Sequence, residues 1–325
     1  MPRNTAIDQQ QLPARVRAAA IHAVNRQAIS SHFSALATAG MSAFVEQQPT
    51  VFRRRGGTRK EHFFDKPMYE KRRAIAGVTD DVYYLGGKPL SEFKLWVPGT
   101  EVAGMVGAAT ALPIPATLPV VALADIISAI EREVKYVHTA EWLVPPELLP
   151  WKKTVCQVQV MDAVRRNFAA GEGGVGLASV EAAEEYVARH CNRELFRSLW
   201  EFSDPGAESP METLMRLLLK RRLNEMGFEY LTQVGISVEG KRVTTADALI
   251  VPAGEAVVLD GPTDFGWDRP YPNRWVWLRT GAAHRREEWT KRAVVLMFDG
   301  RHHDQARQRE KDFAINAAIT AGGLQ

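Results

Sequence analysis

Two stretches in the last third of the chain place acids where chemistry could use them. In "TTADALIVP", Asp247 sits near the start of a strand-like run. In "RAVVLMFDGRHHDQ", residues 292–305, the apolar run Val294 to Phe298 leads into Asp299, Gly300, Arg301, His302 and His303. A second Asp-Gly pair, Asp260-Gly261, ends "EAVVLDG". Acids on adjacent strands can converge on one divalent ion, and a hard ion such as Mg2+ takes oxygen ligands in octahedral geometry. Such an ion activates water and offsets the charge that develops in phosphate transfer. The plainer reading competes: Asp-Gly also ends strands in turns. Taken pair by pair, composition favours the turn.

A third acid precedes these two. In "SPMETLMRLLLKRRLNEMGF", residues 209–228, Ser209 fits an N-cap, Pro210 the first helical position, and Glu212 stands three residues after the cap. That is a capping box by sequence. The helix is predicted to end near Gly227. Its later turns carry Lys220, Arg221 and Arg222, a positive patch.

The elements that must hold these acids follow in order. "FEYLTQVGISVEGKRV" alternates as a strand or hairpin with Gly240 at the turn. "TTADALIVP", "EAVVLDG", "RWVWL" and "AVVLMFDG" read as further strands, and "ARQREKDFAINAAITAGG" as a closing helix. Four tryptophans, Trp267, Trp275, Trp277 and Trp289, fall in the loop-rich part of this region. They suit base stacking or, more simply, the packing of a small subdomain.

Upstream, the texture is mainly helical. Residues 1–48 are rich in Ala with apolar residues at three- and four-residue spacings. Helices are also predicted over 120–137, 155–171 and 179–202, with short strands over 78–98. The glycine cluster "GEGGVG", 171–176, lacks the Lys-Ser/Thr of a phosphate loop. "SDPGAESP", 203–210, is the best boundary, dividing the chain into 1–204 and 205–325. Residues 53–73 hold nine Lys and Arg against three acids, interleaved with Phe63, Phe64 and Tyr69. Arg53, Arg54, Arg55, Arg59 and Lys60 suit contacts to nucleic-acid phosphates, with Arg301 beside the later site. A solvated loop with an aromatic anchor explains the same residues. His62, His138 and His284 carry no recognisable pattern.

Bulk properties are those of an ordinary soluble globular protein: 46% apolar, 24% charged, net charge +3. Cys156 and Cys191 lack disulfide or metal spacing, which with the absence of a leader-like start predicts a cytoplasmic protein. Val102 to Ala124 is uncharged and long enough to span a bilayer, but Pro113, Pro115 and Pro119 break it. A buried strand or loop followed by a helix from about Val120 is expected there, and no membrane partner.

The wording and order of the last third resemble a known family. "DPGAESPMETLMRLLL", Asp247, the run Asp299-Gly300-Arg301-His302-His303 and Asp312 resemble the very-short-patch-repair-like endonuclease domain of the PD-(D/E)XK superfamily. That domain is found at the C-terminus of actinobacterial AbiEi-type antitoxin-like proteins. The resemblance covers about 120 residues, with an insertion about 262–292. It implies an α/β restriction-endonuclease-like core, helices flanking a mixed sheet, and Mg2+- or Mn2+-dependent cleavage of DNA phosphodiesters, in phage defence or mobile-element biology. Asp247 and Asp299 would be the metal acids. His302 or His303 would position or protonate a phosphate or water. Glu212 would be a metal-facing or supporting acid, beside its capping role.

Two departures stay open at this point. Met297 stands where the family has a Glu, two residues before Asp299, and a thioether does not hold Mg2+. Spacing from Asp247 favours Asp260 as the second metal acid, whereas the Gly-Arg-His-His text favours Asp299. A nuclease fold short of an acid can still bind DNA through its basic surface, as an antitoxin-like regulator would.

Overall fold

The structure is a computed structural model. It describes residues 13–24, 28–54, 68–69, 82–85, 114–134, 137–139, 142, 144–168, 176–188, 190–238, 241–254, 259–260, 274–278, 293–297, 315, 317 and 319–320. The elements in chain order are α1 (Ala14–Val24), β1 (Ala28–Ser30), α2 (His32–Thr38), β2 (Val51–Arg54), β3 (Met68–Tyr69), β4 (Val82–Leu85), β5 (Ile114–Thr117) and α3 (Pro119–Glu131). A 3-10 turn at Pro146–Trp151 precedes α4 (Lys152–Phe168), α5 (Val180–Val187), α6 (Arg193–Phe202) and α7 (Pro210–Glu225). Strands β6 (Phe228–Val238), β7 (Lys241–Pro252), β8 (Leu259–Asp260), β9 (Arg274–Leu278) and β10 (Val294–Leu296) follow. The fold is mixed α/β.

Two compact units result. The first is Met1–Trp142 with Asn167–Glu201, and the second is Leu143–Arg166 with Phe202–Gln325. The second begins close to the sequence boundary at 204/205, but it also takes in 143–166, which composition alone assigned to the first region. The cause is a buried ion pair on α4, described below.

Beside its helices, the first unit carries a sheet that the sequence expectation for residues 1–204 did not include. It holds a five-stranded sheet in the order β3-β2-β1-β5-β4. Strand β1 pairs parallel with β5 and antiparallel with β2. Strand β1 is three residues long and runs at once into α2, so its Ala-rich surroundings gave it no period-two signal of its own. The Val102–Ala124 stretch resolves as expected where it is described, into β5 and the start of α3. Nearly all of α3 is buried. Among the described residues no helix is long and apolar enough to cross a membrane.

The single helix predicted over 179–202 is two. Ser179 caps α5 by accepting from the Ala182 N–H, and Asn192 caps α6 by accepting from the Leu195 N–H at 3.0 Å. Between them His190 turns inward, its Nδ1 2.9 Å from Asp125 Oδ1, a carboxylate fully buried on α3. A buried acid must be paired, and that pairing breaks the helix. Cys156 and Cys191 are in no disulfide, and burial pushes the Cys156 thiol up to about 11, so it stays protonated at neutral pH.

The second unit is built on a sheet in the order β10-β7-β6-β9-β8. Strands β6 and β7 form a long antiparallel hairpin from Phe228↔Pro252 to Val238↔Lys241, with a register shift at Ile236/Ser237. "KRV" and "TTADALIVP", read as separate pieces in sequence, are one twelve-residue strand. β10 adds antiparallel to β7, while β9 runs parallel to β6. Leu231, Val234, Ile236, Leu249, Val251 and Ile319 form the main apolar core here. A smaller cluster packs Leu214, Leu217 and Leu218 of α7 on Leu148 and Val155. Helix α7 thus turns its leucines to α4, and its first turn stays available to the sheet.

Candidate functional site

The first turn of α7 is fixed by the residues that predicted it. Ser209 Oγ accepts from the Glu212 N–H at 3.3 Å and donates to Glu212 Oε1 at 2.9 Å. Glu212 Oε2 accepts from the Glu208 N–H at 2.9 Å. The side chain also reaches the sheet: Gln233 Nε2 on β6 donates to Glu212 Oε2 at 3.1 Å. One carboxylate thus bonds both to the helix start and to Gln233. Glu212 is 4% exposed. Burial raises its pKa first, then the nearby Asp247 carboxylate, against the Glu208 N–H, Ser209 hydroxyl and Gln233 amide.

Gln233 also donates to Asp247 Oδ1 at 3.4 Å. The two residues face each other across the hairpin, between the pairs Thr232↔Ala248 and Val234↔Ala246. One amide thus bridges an acid from a helix and an acid from a strand. Asp247 is partly exposed, so the bridge lies where solvent reaches one of its ends. Sequence reasoning found both acids by type and spacing and missed the amide between them. The available signal was an amide side chain, the largest polar one in the otherwise apolar or small-residue run "YLTQVGIS".

Behind the bridge lies a second, fully internal polar cluster. Asp162 of α4 accepts from Arg216 Nη2 at 2.6 Å, from the Thr213 hydroxyl at 2.7 Å and from the Asp204 N–H at 2.6 Å. Arg216 also donates to the Phe202 carbonyl. Burial pushes the Asp162 carboxyl up to about 6, with Arg216 pulling it back. Asp204 in turn accepts from the Thr232 hydroxyl at 2.6 Å and from the Gly206 N–H at 2.8 Å. Tyr230 is buried here too. Its hydroxyl has no hydrogen-bond partner among the described residues, and burial with the negative charge of Glu212, Asp247 and Asp204 raises its pKa.

The remaining sequence candidates distribute as follows. Asp260 pairs with Arg274, which lies level with Val234, which lies level with Ala246. Asp260 therefore stands three strands from Asp247, about 14 Å at a strand spacing of about 4.8 Å, too far to share one ion. β10, by contrast, is hydrogen-bonded directly to β7. Leu296 pairs with Ala248, so Met297 comes level with Asp247, and Met297 is 41% exposed. Asp299, Arg301, His302, His303 and Asp312 lie outside the described residues, as do Arg55, Arg59 and Lys60. Arg53 and Arg54 belong to β2.

The donor set bears on the implied ion. Mg2+ is commonly held by one or two carboxylates and completed by water and substrate phosphate. Asp247, with Glu212 behind the Gln233 amide, matches that hard oxygen set. Among the described residues no three His, Cys, Asp or Glu side chains group as a metal site.

Comparison with protein-family models, curated proteins and solved structures finds no match to this chain.

Proposed function

We propose that the second unit is a metal-dependent DNA endonuclease domain of the PD-(D/E)XK type, hydrolysing phosphodiester bonds with Mg2+ or Mn2+. The observation that carries this reading is the convergence of Glu212 from α7 with Asp247 from β7 across Gln233, on a strand whose other neighbour is β10. β10 is the strand that leads, in sequence, to Asp299-Gly300-Arg301-His302-His303. Of the two Asp-Gly pairs, the strand order therefore favours Asp299 as the partner of Asp247.

In this reading Asp247 holds the ion, and Glu212 anchors the acid pair to the helix through its capping bonds. Arg301 neutralises a phosphate oxygen, and His302 or His303 hands a proton to the leaving oxygen or holds the attacking water. When bound, the ion lowers the pKa of its water and stabilises the pentavalent charge. Burial of the Asp162–Arg216 pair behind the site holds α7 and α4 together, so the acid on α7 does not drift.

Supercoiled plasmid incubated with the full chain and Mg2+ or Mn2+ tests the reading. Wild type should nick, and Asp247→Ala and Asp299→Ala should each reduce nicking by at least about a hundredfold, the scale on which electrostatic catalytic groups act. Wild-type nicking no greater than that of Asp299→Ala removes the reading.

Met297 supports a second reading, a catalytically degenerate DNA-binding or antitoxin-like protein. It follows directly on β10, where extending the register brings it level with Asp247, and offers only a thioether, a poor partner for a hard ion. This reading expects salt-dependent DNA binding that is indifferent to divalent metal.

A further inference from the structure

Gln233 departs from its surroundings in two ways. It is a polar side chain inside a strand whose residues from Tyr230 to Val238 are all buried. Its backbone also lies in the left-handed region, φ +48, in mid-strand. A non-glycine residue held there is strained, and such strain persists only where the surroundings enforce it. The strained turn aims the side chain: Nε2 reaches Glu212 Oε2 at 3.1 Å and Asp247 Oδ1 at 3.4 Å.

We propose that Gln233 is the positioning residue of this site, its strained backbone turn aiming one neutral amide between Glu212 and Asp247 so as to cross-link them and set the direction of the Asp247 carboxylate toward an incoming divalent cation. This rests on the reading of Asp247 as the metal acid. The chemistry of the bridge explains the residue type. A lysine could span the same two oxygens, but its charge would cancel the field that draws a cation. A hydroxyl has a single proton and cannot donate to both. The amide of Gln donates two N–H bonds and leaves both negative charges in place. Gln233 touches the acids and not the reacting phosphate, so it acts through Asp247.

The informative variant is Gln233→Gly. Glycine adopts φ +48 without strain, so the substitution deletes the amide while relieving the backbone. Mn2+ titrated into the full chain and followed by electron paramagnetic resonance gives the affinity, with the thermal midpoint as a check on folding. Gln233→Gly should bind Mn2+ at least about tenfold more weakly than wild type, with an unchanged or higher midpoint. Gln233→Lys should bind it more weakly still. Gln233→Gly binding within twofold of wild type overturns the proposal.

A second measurement separates this from the endonuclease reading. The side-chain 1H–15N pair of Gln233, assigned through its loss in Gln233→Gly, should shift in Asp247→Asn and again in Glu212→Gln, with no metal present. If wild type binds no Mn2+ but these shifts occur, the metal reading falls and the cross-link stands. No shift in either variant removes the cross-link itself.

Discussion

Asp162 shows how a single side chain can matter more to stability than to chemistry. It accepts from Arg216, Thr213 and Asp204 and is almost wholly buried, and burial outweighs the ion pair in setting its pKa of about 6. Its folded pKa thus lies above the ordinary Asp value. The folded state binds this proton more tightly than the unfolded state does, so the contribution is fully present below about pH 4. It is lost as pH rises through about 6, at about 1.4 kcal/mol for each pH unit crossed between the unfolded and folded values. The difference in unfolding free energy between wild type and Asp162→Asn should therefore shrink as pH rises from about 4 to about 6. Urea melts across that range measure it, and a difference that grows would mean Arg216 outweighs burial. Tyr230 makes the opposite case. Its hydroxyl is buried without a partner among the described residues, so Tyr230→Phe should be neutral or stabilising by about 1 kcal/mol. A clear loss in a chemical melt would show that a water or ion meets that hydroxyl. Neither residue was legible in sequence: an Asp inside "VQVMDAVRR" looks like any exposed helical acid, and its partner lies on a different helix. Glu212 was legible because a cap offset is a local pattern; Asp247 was picked out as an acid near the start of "TTADALIVP", although it lies in the middle of β7.

At the scale of elements, what could be read was what is local. The α7 start is written in four consecutive residues: Ser209 Oγ accepts from the Glu212 N–H as the cap implies, while the Glu212 carboxylate reaches back to the Glu208 N–H, one residue before the cap. Ser209→Ala should cost about 1 kcal/mol as a lost cap, rising toward about 2 because Glu212 also loses a donor. The same variant should loosen the Glu212 end of the Gln233 bridge. The turn before α7 is equally constrained. A Cβ on Gly206 would stand 2.8 Å from Thr232 Oγ1 and 2.9 Å from Asp204 Oδ1, two atoms already committed to buried hydrogen bonds. Gly206→Ala should therefore destabilise by about 1–3 kcal/mol, the usual cost of overpacking, read as a lower denaturant midpoint at constant slope. What could not be read was set by distant partners. The α5–α6 break follows from His190 reaching Asp125, sixty-five positions away. The three-residue β1 exists because β2 and β5 flank it, not because of its own composition.

At the scale of the whole molecule, the proposed function draws on two regions: the acids and the amide of the second unit, and the basic run 53–73 of the sequence. The order of one helix followed by strands after 205 was legible because each strand carries its own apolar run. The strand order was not, since nothing in "VVLDG" or "VVLMFDG" says which of them lies beside Asp247. That order sets Asp260 three strands from Asp247, and the proposed reading takes Asp299 for that reason. If the chain engages DNA, the basic run should reveal itself through counterions and not through sequence preference. Each phosphate neutralised by a Lys or Arg contributes about 0.9 to the slope of log K against log salt on duplex DNA. Replacing Arg53, Arg54, Arg55, Arg59 and Lys60 by Ala together should reduce that slope by about 2–4, and weaken binding alike for unrelated duplexes. Fluorescence anisotropy from 50 to 200 mM salt, about the range in which such contacts dominate, measures both. Asp247→Asn should leave the slope in metal-free buffer within about one unit of wild type, because it adds no phosphate contact. An unchanged slope in the five-residue variant would mean the basic run is a solvated loop. DNA affinity would then have to come from the second unit alone, where Lys220, Arg221 and Arg222 sit exposed on α7, with Arg221 and Arg222 already paired to Glu225.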